Sequence, residues 1–193
     1  MDFIIAIYKK MQTNKASNKF ILLVIAILFY QSSQAENHVI TLSISHNNQT
    51  TTIIPHLSFN TSKQIKEAID NGIRVQFIAK AQIYQPSSWW FDDQVVQSKI
   101  NLEVSFFTLG KLYIVKNKET GEQLSFNDYE QLWKEFEKLM SFEYTQAIVQ
   151  DKWFKMRIML DKGALPTAMQ LPVLFDSNWD INTPWYKQQM NKK

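Results

Sequence analysis

Ile73-Arg74-Val75-Gln76-Phe77-Ile78-Ala79-Lys80-Ala81-Gln82-Ile83-Tyr84 decides how the chain is read. Ile73, Val75, Phe77, Ala79, Ala81 and Ile83 alternate with Arg74, Gln76, Lys80, Gln82 and Tyr84, and Ile78 is the one exception. A period of two sends successive side chains to opposite faces, so this pattern predicts a strand with one buried and one wet face. Leu102, Val104 and Phe106 continue the pattern, Leu112–Val115 forms a further short strand, and Asn117-Lys118-Glu119-Thr120-Gly121 turns the chain. Phe154, Met156, Ile158 and Leu160 alternate with Lys155, Arg157 and Asp161 and predict another one-sided strand.

Upstream, residues 38–45 and 49–59 are rich in Thr and Ile and are joined by His46-Asn47-Asn48-Gln49, the pattern of a hairpin. Asn60-Thr61-Ser62 supplies an N-cap for a helix through Ala68-Ile69, which ends at Asn71-Gly72. Asn127 or Asp128 caps a second helix, whose Leu132, Trp133, Phe136, Leu139 and Met140 fall at helical spacing. The tail from Leu165, with Pro166, Pro172 and Pro184, is expected to run extended over the core, and Lys187–Lys193 to fray. Leu57-Ser58-Phe59-Asn60 recurs as Leu124-Ser125-Phe126-Asn127. Each copy precedes a helix, which suggests either a degenerate duplication or two helix starts with the same solution. The expected class is α+β, a largely antiparallel twisted sheet of seven or eight strands with two helices. A β-sandwich with the helices at its edges is the alternative.

The N-terminus carries a location signal. Phe20–Tyr30 is an uncharged, mostly apolar run, preceded by Lys15 and Lys19 and followed by Gln31-Ser32-Ser33-Gln34-Ala35. That order matches a secretory signal peptide cleaved after Ala35, with Met11 as a second candidate start. An uncleaved inner-membrane anchor, aided by Phe3–Ile7, is the alternative, although the run is short of the roughly 20 residues that span a bilayer. Residues 1–35 are therefore the signal peptide, residues 36–193 a single globular domain, and the expected location the periplasm. Membrane contact is expected only through Phe20–Tyr30, and only if that run is retained.

The chain has no cysteine, which rules out both disulfides and the lipid-bearing cysteine of a bacterial lipoprotein. The formal charge of +3 is set by the presequence. Residues 1–35 hold four of the 21 basic residues and one of the 18 acidic ones, so the remainder is neutral. No stretch of sequence clusters basic residues as a nucleic-acid binder would, and nucleic acid is set aside. With four glycines in all, no phosphate loop, nucleophile elbow or cofactor motif is present, and no cofactor is expected.

Trp89-Trp90-Phe91-Asp92-Asp93 is the sharpest candidate cluster. Trp89 and Trp90 could stack a sugar ring while Asp92 and Asp93 supply acid–base chemistry, which is the carbohydrate-hydrolase reading. The competing reading packs the tryptophans against the core and uses Asp92 or Asp93 to cap a short helix over Val95-Val96. His38, His46 and His56 lack the spacing of a metal motif and read as surface histidines, so no metal site is assigned. Arg157 and Asp161 read as a surface charge pair on one strand face.

One ordered set of segments runs through most of the chain: Glu67-Ala68 to Gly72-Ile73 with Phe77, Trp89-Trp90 with Asp92, and Leu109 with Tyr113. Ser125-Phe126, Arg157 with Leu160-Asp161, Leu165-Pro166, Gln170, Trp179 and Trp185 follow. In this order they resemble the family called domain of unknown function 4390, exported proteins of proteobacteria. The family often carries arginines just before its tryptophan pair, where this chain has Gln85-Pro86-Ser87-Ser88. The resemblance implies export and one compact domain and supplies no catalytic residues. Together these readings point to a periplasmic, non-catalytic binding or adaptor domain with an envelope protein as partner. The hydrolase at residues 89–93 remains the alternative.

Overall fold

The computed structural model describes residues 40–47, 49–57, 61–86 and 93–190. Residues 1–35, read from the sequence as a signal peptide, lie outside the described residues.

The predicted α+β class holds. The described residues form nine strands and four α-helices, and every strand pairing is antiparallel. The strands divide into two sheets where one was expected. The smaller contains β1 (Ile40–Asn47), β2 (Thr50–Leu57) and β7 (Phe142–Thr145), in the order β1-β2-β7. The larger has the order β6-β5-β4-β3-β8-β9. Its members are β3 (Val75–Gln85), β4 (Asp93–Phe107), β5 (Leu112–Asn117), β6 (Gln123–Phe126), β8 (Lys152–Leu160) and β9 (Tyr186–Met190).

The alternation read from residues 73–84 places β3 at the heart of the larger sheet. Val75, Phe77, Ala79, Ala81 and Ile83 are all fully buried. On the opposite face Gln76, Lys80 and Gln82 keep contact with solvent, while Ile78 and Tyr84 are buried as well. The register shifts between Ile83 and Tyr84. Such a bulge re-aims side chains at a strand end. Val95 and Val96 belong to β4, not to the short helix expected over them, and Asp93 is the first residue of that strand.

Helix α1 (Lys63–Asp70) begins where Ser62 accepts the Ile65 N–H at 3.3 Å, and it buries Ile65 and Ile69. It stops before Gly72, whose φ of +83° favours glycine. Helix α2 (Tyr129–Leu139) is capped by Asp128, which accepts the Gln131 N–H at 2.7 Å. The Gln131 side chain in turn accepts the N–H of Asn127, the residue before the cap, at 3.2 Å, so the two bonds tie the chain entering α2 to its first turn. The buried pairs Ile65/Leu132 and Ile69/Phe136 keep the spacing of the repeated Leu-Ser-Phe-Asn, but the caps Ser62 and Asp128 do not. The likeness is thus confined to the buried faces of the two helices, and their starts are built differently.

α2 ties the sheets together. Phe136 meets Phe77 edge-on at 5.1 Å, and Glu137 reaches the end of β2, where it accepts the Leu57 N–H at 2.6 Å and pairs with His56 at 3.0 Å. A second tie joins Tyr144 on β7 to Phe154 on β8, with ring centroids 6.3 Å apart. One hydrophobic core runs through both sheets. It includes Val75, Phe77, Val104, Phe136, Met156 and Ile158 as expected, with Phe106 only partly buried at its edge.

Two expectations for the C-terminal part are corrected. After the four-residue helix α3 (Gln146–Val149) and β8, the tail does not run extended: it forms α4 (Thr167–Leu174) and then β9. Residues 187–190 are paired along β8 rather than frayed, with Lys152 opposite Met190 and Met156 opposite Tyr186. Just before β9, the Thr183 N–H donates to the Ile158 carbonyl at 2.9 Å, and the Ile158 N–H donates to Thr183 Oγ1 at 2.8 Å. Pro184 and Trp185 therefore lie opposite Arg157, between two paired segments. Pro184 has no N–H to give a ladder, so an irregular position at a sheet edge is where it fits.

Candidate functional site

Two surfaces concentrate chemistry. The first is an open groove beside α2, lined by Thr61, Tyr129, Glu130, Trp133, Lys134 and Glu137, with a volume of about 550 Å³. Its neighbour, lined by Lys66, Phe106, Lys111, Tyr113 and Asn127, shares Tyr129 and Glu130 with it. Aromatic rings form the floor in sequence. Phe106 lies 4.9 Å from Tyr113, Tyr113 is 5.5 Å from Tyr129, and Tyr129 is 6.0 Å from Trp133, which stacks on Phe136 at 4.5 Å. The ladder follows from α2's spacing, because residues three or four apart on a helix share a face.

A polar network sits on this ladder. Lys66 and Asp70, one turn apart on α1, pair at 2.6 Å. Tyr113 donates to the other Asp70 oxygen at 2.5 Å, and Lys66 Nζ is 3.4 Å from the same hydroxyl. Lys66 also lies over the Tyr129 ring at 5.3 Å, while the Tyr129 hydroxyl is bonded to Thr61. The bond to Asp70 raises the Lys66 pKa above its ordinary 10.5. Burial alone would raise Asp70, but the bonds from Lys66 and Tyr113 overrule it and hold the carboxyl below 3.8. Burial, then the bond to Asp70, raises Tyr113, and burial raises Tyr129. All four groups move away from neutrality. Near pH 7 the cluster is a cation, an anion and two neutral phenols.

The second surface is the outer face of the larger sheet. Lys99 on β4, Lys80 on β3 and Arg157 on β8 stand directly opposite one another. The next row holds Gln97, Gln82, Lys155 and Lys187 on β4, β3, β8 and β9. Lys155 Nζ lies 4.8 Å from the Tyr84 ring centroid and 5.4 Å from that of Trp185, and the Arg157 guanidinium lies 4.9 Å from that of Trp185. The sequence shows no basic cluster because these residues are far apart along the chain. Strand register assembles one.

The sequence candidates fare differently. Trp89, Trp90 and Asp92 lie outside the described residues. Asp93 is exposed at the start of β4, opposite Gln85. His38 also lies outside. His46 bonds Thr51 at 3.0 Å, whereas His56 pairs with Glu137 and Ser43. Register places His46 near the turn of the β1–β2 hairpin and His56 near its open end, so the two do not converge. Arg157 and Asp161 form no ion pair. Asp161 instead accepts the Gly163 N–H at 3.1 Å, capping the turn at Lys162–Ala164, and Arg157 stacks on Trp185. The network residues Lys66, Asp70, Tyr113 and Tyr129 gave little signal in sequence beyond the i, i+4 pairing of Lys66 with Asp70, since the cluster closes only when α1, β5 and α2 meet.

The chain belongs to the family described as Domain of unknown function (DUF4390), whose model matches residues 35–189. No curated protein and no solved structure matches it significantly. Among the described residues no helix is long and apolar enough to cross a membrane.

Proposed function

We propose that the chain is an exported, periplasmic, non-catalytic binding or adaptor domain of the cell envelope. The observation that carries this reading is the Lys66–Asp70–Tyr113 network. Its members satisfy one another and are held in fixed protonation states, and two of them, Lys66 and Tyr113, line an open aromatic groove. A catalytic acid or base works best with a pKa near the operating pH, and these groups are driven the other way. The export half rests on the order Lys15, Lys19, Phe20–Tyr30 and Ala35. An envelope protein seated on the groove is the partner this supports.

N-terminal sequencing of the protein from envelope fractions tests export. A first residue of Glu36 is expected, and a full-length cytoplasmic product would refute it. For the binding half, a photo-crosslinking residue is placed at Lys134, an exposed position lining the groove, and at the exposed Ser177 as control. A discrete crosslinked species from Lys134 and none from Ser177 is expected. Turnover of glycan fragments that is lost in Asp92→Asn or Asp93→Asn would refute the non-catalytic reading in favour of the hydrolase.

A further inference from the structure

The outer face of the larger sheet holds positive charge that the fold itself does not compensate. Strands lie about 4.8 Å apart and alternate residues about 6.7 Å apart along a strand. Lys99, Lys80, Arg157, Lys155 and Lys187 therefore crowd one small patch over four adjacent strands. Like charges directly opposite one another destabilise a sheet. Lys99 has Glu119 at 3.5 Å. Among the described residues no carboxylate pairs with Lys80, Lys155, Arg157 or Lys187. The rings of Tyr84 and Trp185 support Lys155 and Arg157 without cancelling their charge, and Arg157 Nε is buried with no hydrogen-bond acceptor. This concentration stands on a chain whose charges balance once residues 1–35 are set apart.

We propose that this face binds a linear polyanion carrying closely spaced phosphate groups, recognised by Lys80, Lys155 and Arg157. The proposal rests on the binding reading above and names a ligand for it at a second surface. Three observations select this ligand class. The cations form a grid whose spacing suits a chain of repeating charges better than a single ion, and contacts made by a tethered series reinforce one another. Arg157 lies over the Trp185 indole with its Nε buried, which leaves the two terminal Nη groups of the guanidinium as the donors for an oxyanion, and paired N–H donors of this kind suit phosphate. Lys155 and Arg157 already lie over the ring of Trp185, and Lys155 over that of Tyr84, so the ring faces turned to these cations are occupied and do not offer a stacking platform for a base or a sugar.

The test titrates the full chain with short-chain inorganic polyphosphate, followed by calorimetry and tryptophan fluorescence. Saturable binding that weakens with added salt is expected. Lys80→Gln and Arg157→Gln should each weaken it about five-fold or more, the effect of roughly one kcal/mol per cation near an anionic surface. Lys138→Gln, on α2 and paired with Glu135, should leave it unchanged. Without ligand, Lys80→Gln should melt no lower than the parent chain, because it removes repulsion from Lys99 and Arg157. Lost binding with retained stability separates recognition from misfolding. Unchanged affinity in Lys80→Gln and Arg157→Gln would overturn the proposal. So would tighter binding of a single-stranded oligonucleotide of equal phosphate number, which would mean bases are read. Retention on phosphatidylglycerol vesicles that Lys80→Gln and Arg157→Gln do not reduce, with no binding of polyphosphate, would overturn it as well. If polyphosphate fails to bind while the Lys134 crosslink persists, this proposal falls and the binding-domain reading stands.

Discussion

Replacing Phe77 with Ala tests the reasoning that placed the core. Phe77 is fully buried at the centre of β3, with Leu102 opposite it on β4 and Leu160 opposite it on β8. Above it lie two rings of α2, Trp133 at 5.8 Å and 65° and Phe136 at 5.1 Å and 78°, both in edge-to-face geometry. Truncation of a buried phenylalanine costs about 3–5 kcal/mol, and the amount depends on how far the site can collapse. Collapse is restricted here, because hydrogen-bonded strands flank the position and Glu137 anchors α2 to the other sheet. The two edge-to-face pairs add to the loss, at about 0.5–1.5 kcal/mol each beyond area. The upper half of the range is expected, which for a domain of this size lowers the melting midpoint by about 10 °C or more. Thermal unfolding followed by circular dichroism measures it. Phe107→Ala, at a residue 46% exposed, is the control and should stay within about 0.5 kcal/mol of the parent. A Phe77→Ala midpoint indistinguishable from that of Phe107→Ala would refute the face assignment of β3.

Thr183→Val keeps the shape of a buried side chain but removes the oxygen that accepts the Ile158 N–H, so a loss of about 1–3 kcal/mol is expected by chemical denaturation. Gly72→Ala has open space for its methyl group, yet its φ of +83° makes the backbone the whole cost, about 1 kcal/mol or more by the same assay. The α1 network gives pH dependence at both ends. The Asp70 pKa is lowered on folding, so its contribution is present above 3.8 and fades as pH falls below it; Asp70→Asn should flatten that acid limb of the melting profile. Lys66 and Tyr113 are raised, so their contribution is present below about 10 and is lost as pH climbs past that value, and Tyr113→Phe should shift the alkaline limb.

The legible parts of the fold were those where local pattern and tertiary demand agree. β3 announced itself through five inward apolar residues with polar neighbours, α1 through Ser62 and Gly72, and α2 through Leu132 and Phe136 behind Asp128. α4 was hidden because Pro166 precedes it, Pro172 interrupts it, and its apolar residues show no helical period, so Leu171 and Leu174 are left exposed. β9 was hidden because Tyr-Lys-Gln-Gln-Met has little strand character of its own; it is an edge strand held by β8. The basic face was illegible for another reason. Lys80, Lys99, Lys155, Arg157 and Lys187 lie on four strands, and only register reveals that they are neighbours. The groove network failed in the same way, since α1, β5 and α2 each supply one part of it.

The pleat of β3 explains how one chain supports both surfaces without conflict. Phe77 points inward and props Trp133, which walls the groove beside α2. Three residues on, Lys80 points outward into the cation row between Lys99 and Arg157. Burial on one face fixes the strand's register, since a slip of one residue would turn Phe77 to solvent and Lys80 into the core. That penalty is what lets three cations stand side by side. Their mutual repulsion costs on the order of 1 kcal/mol per opposed pair at most, against several for exposing the inner face of β3. The hydrophobic face therefore holds a charge pattern that the outer face alone would not choose, and substitutions on the two faces should separate stability from recognition.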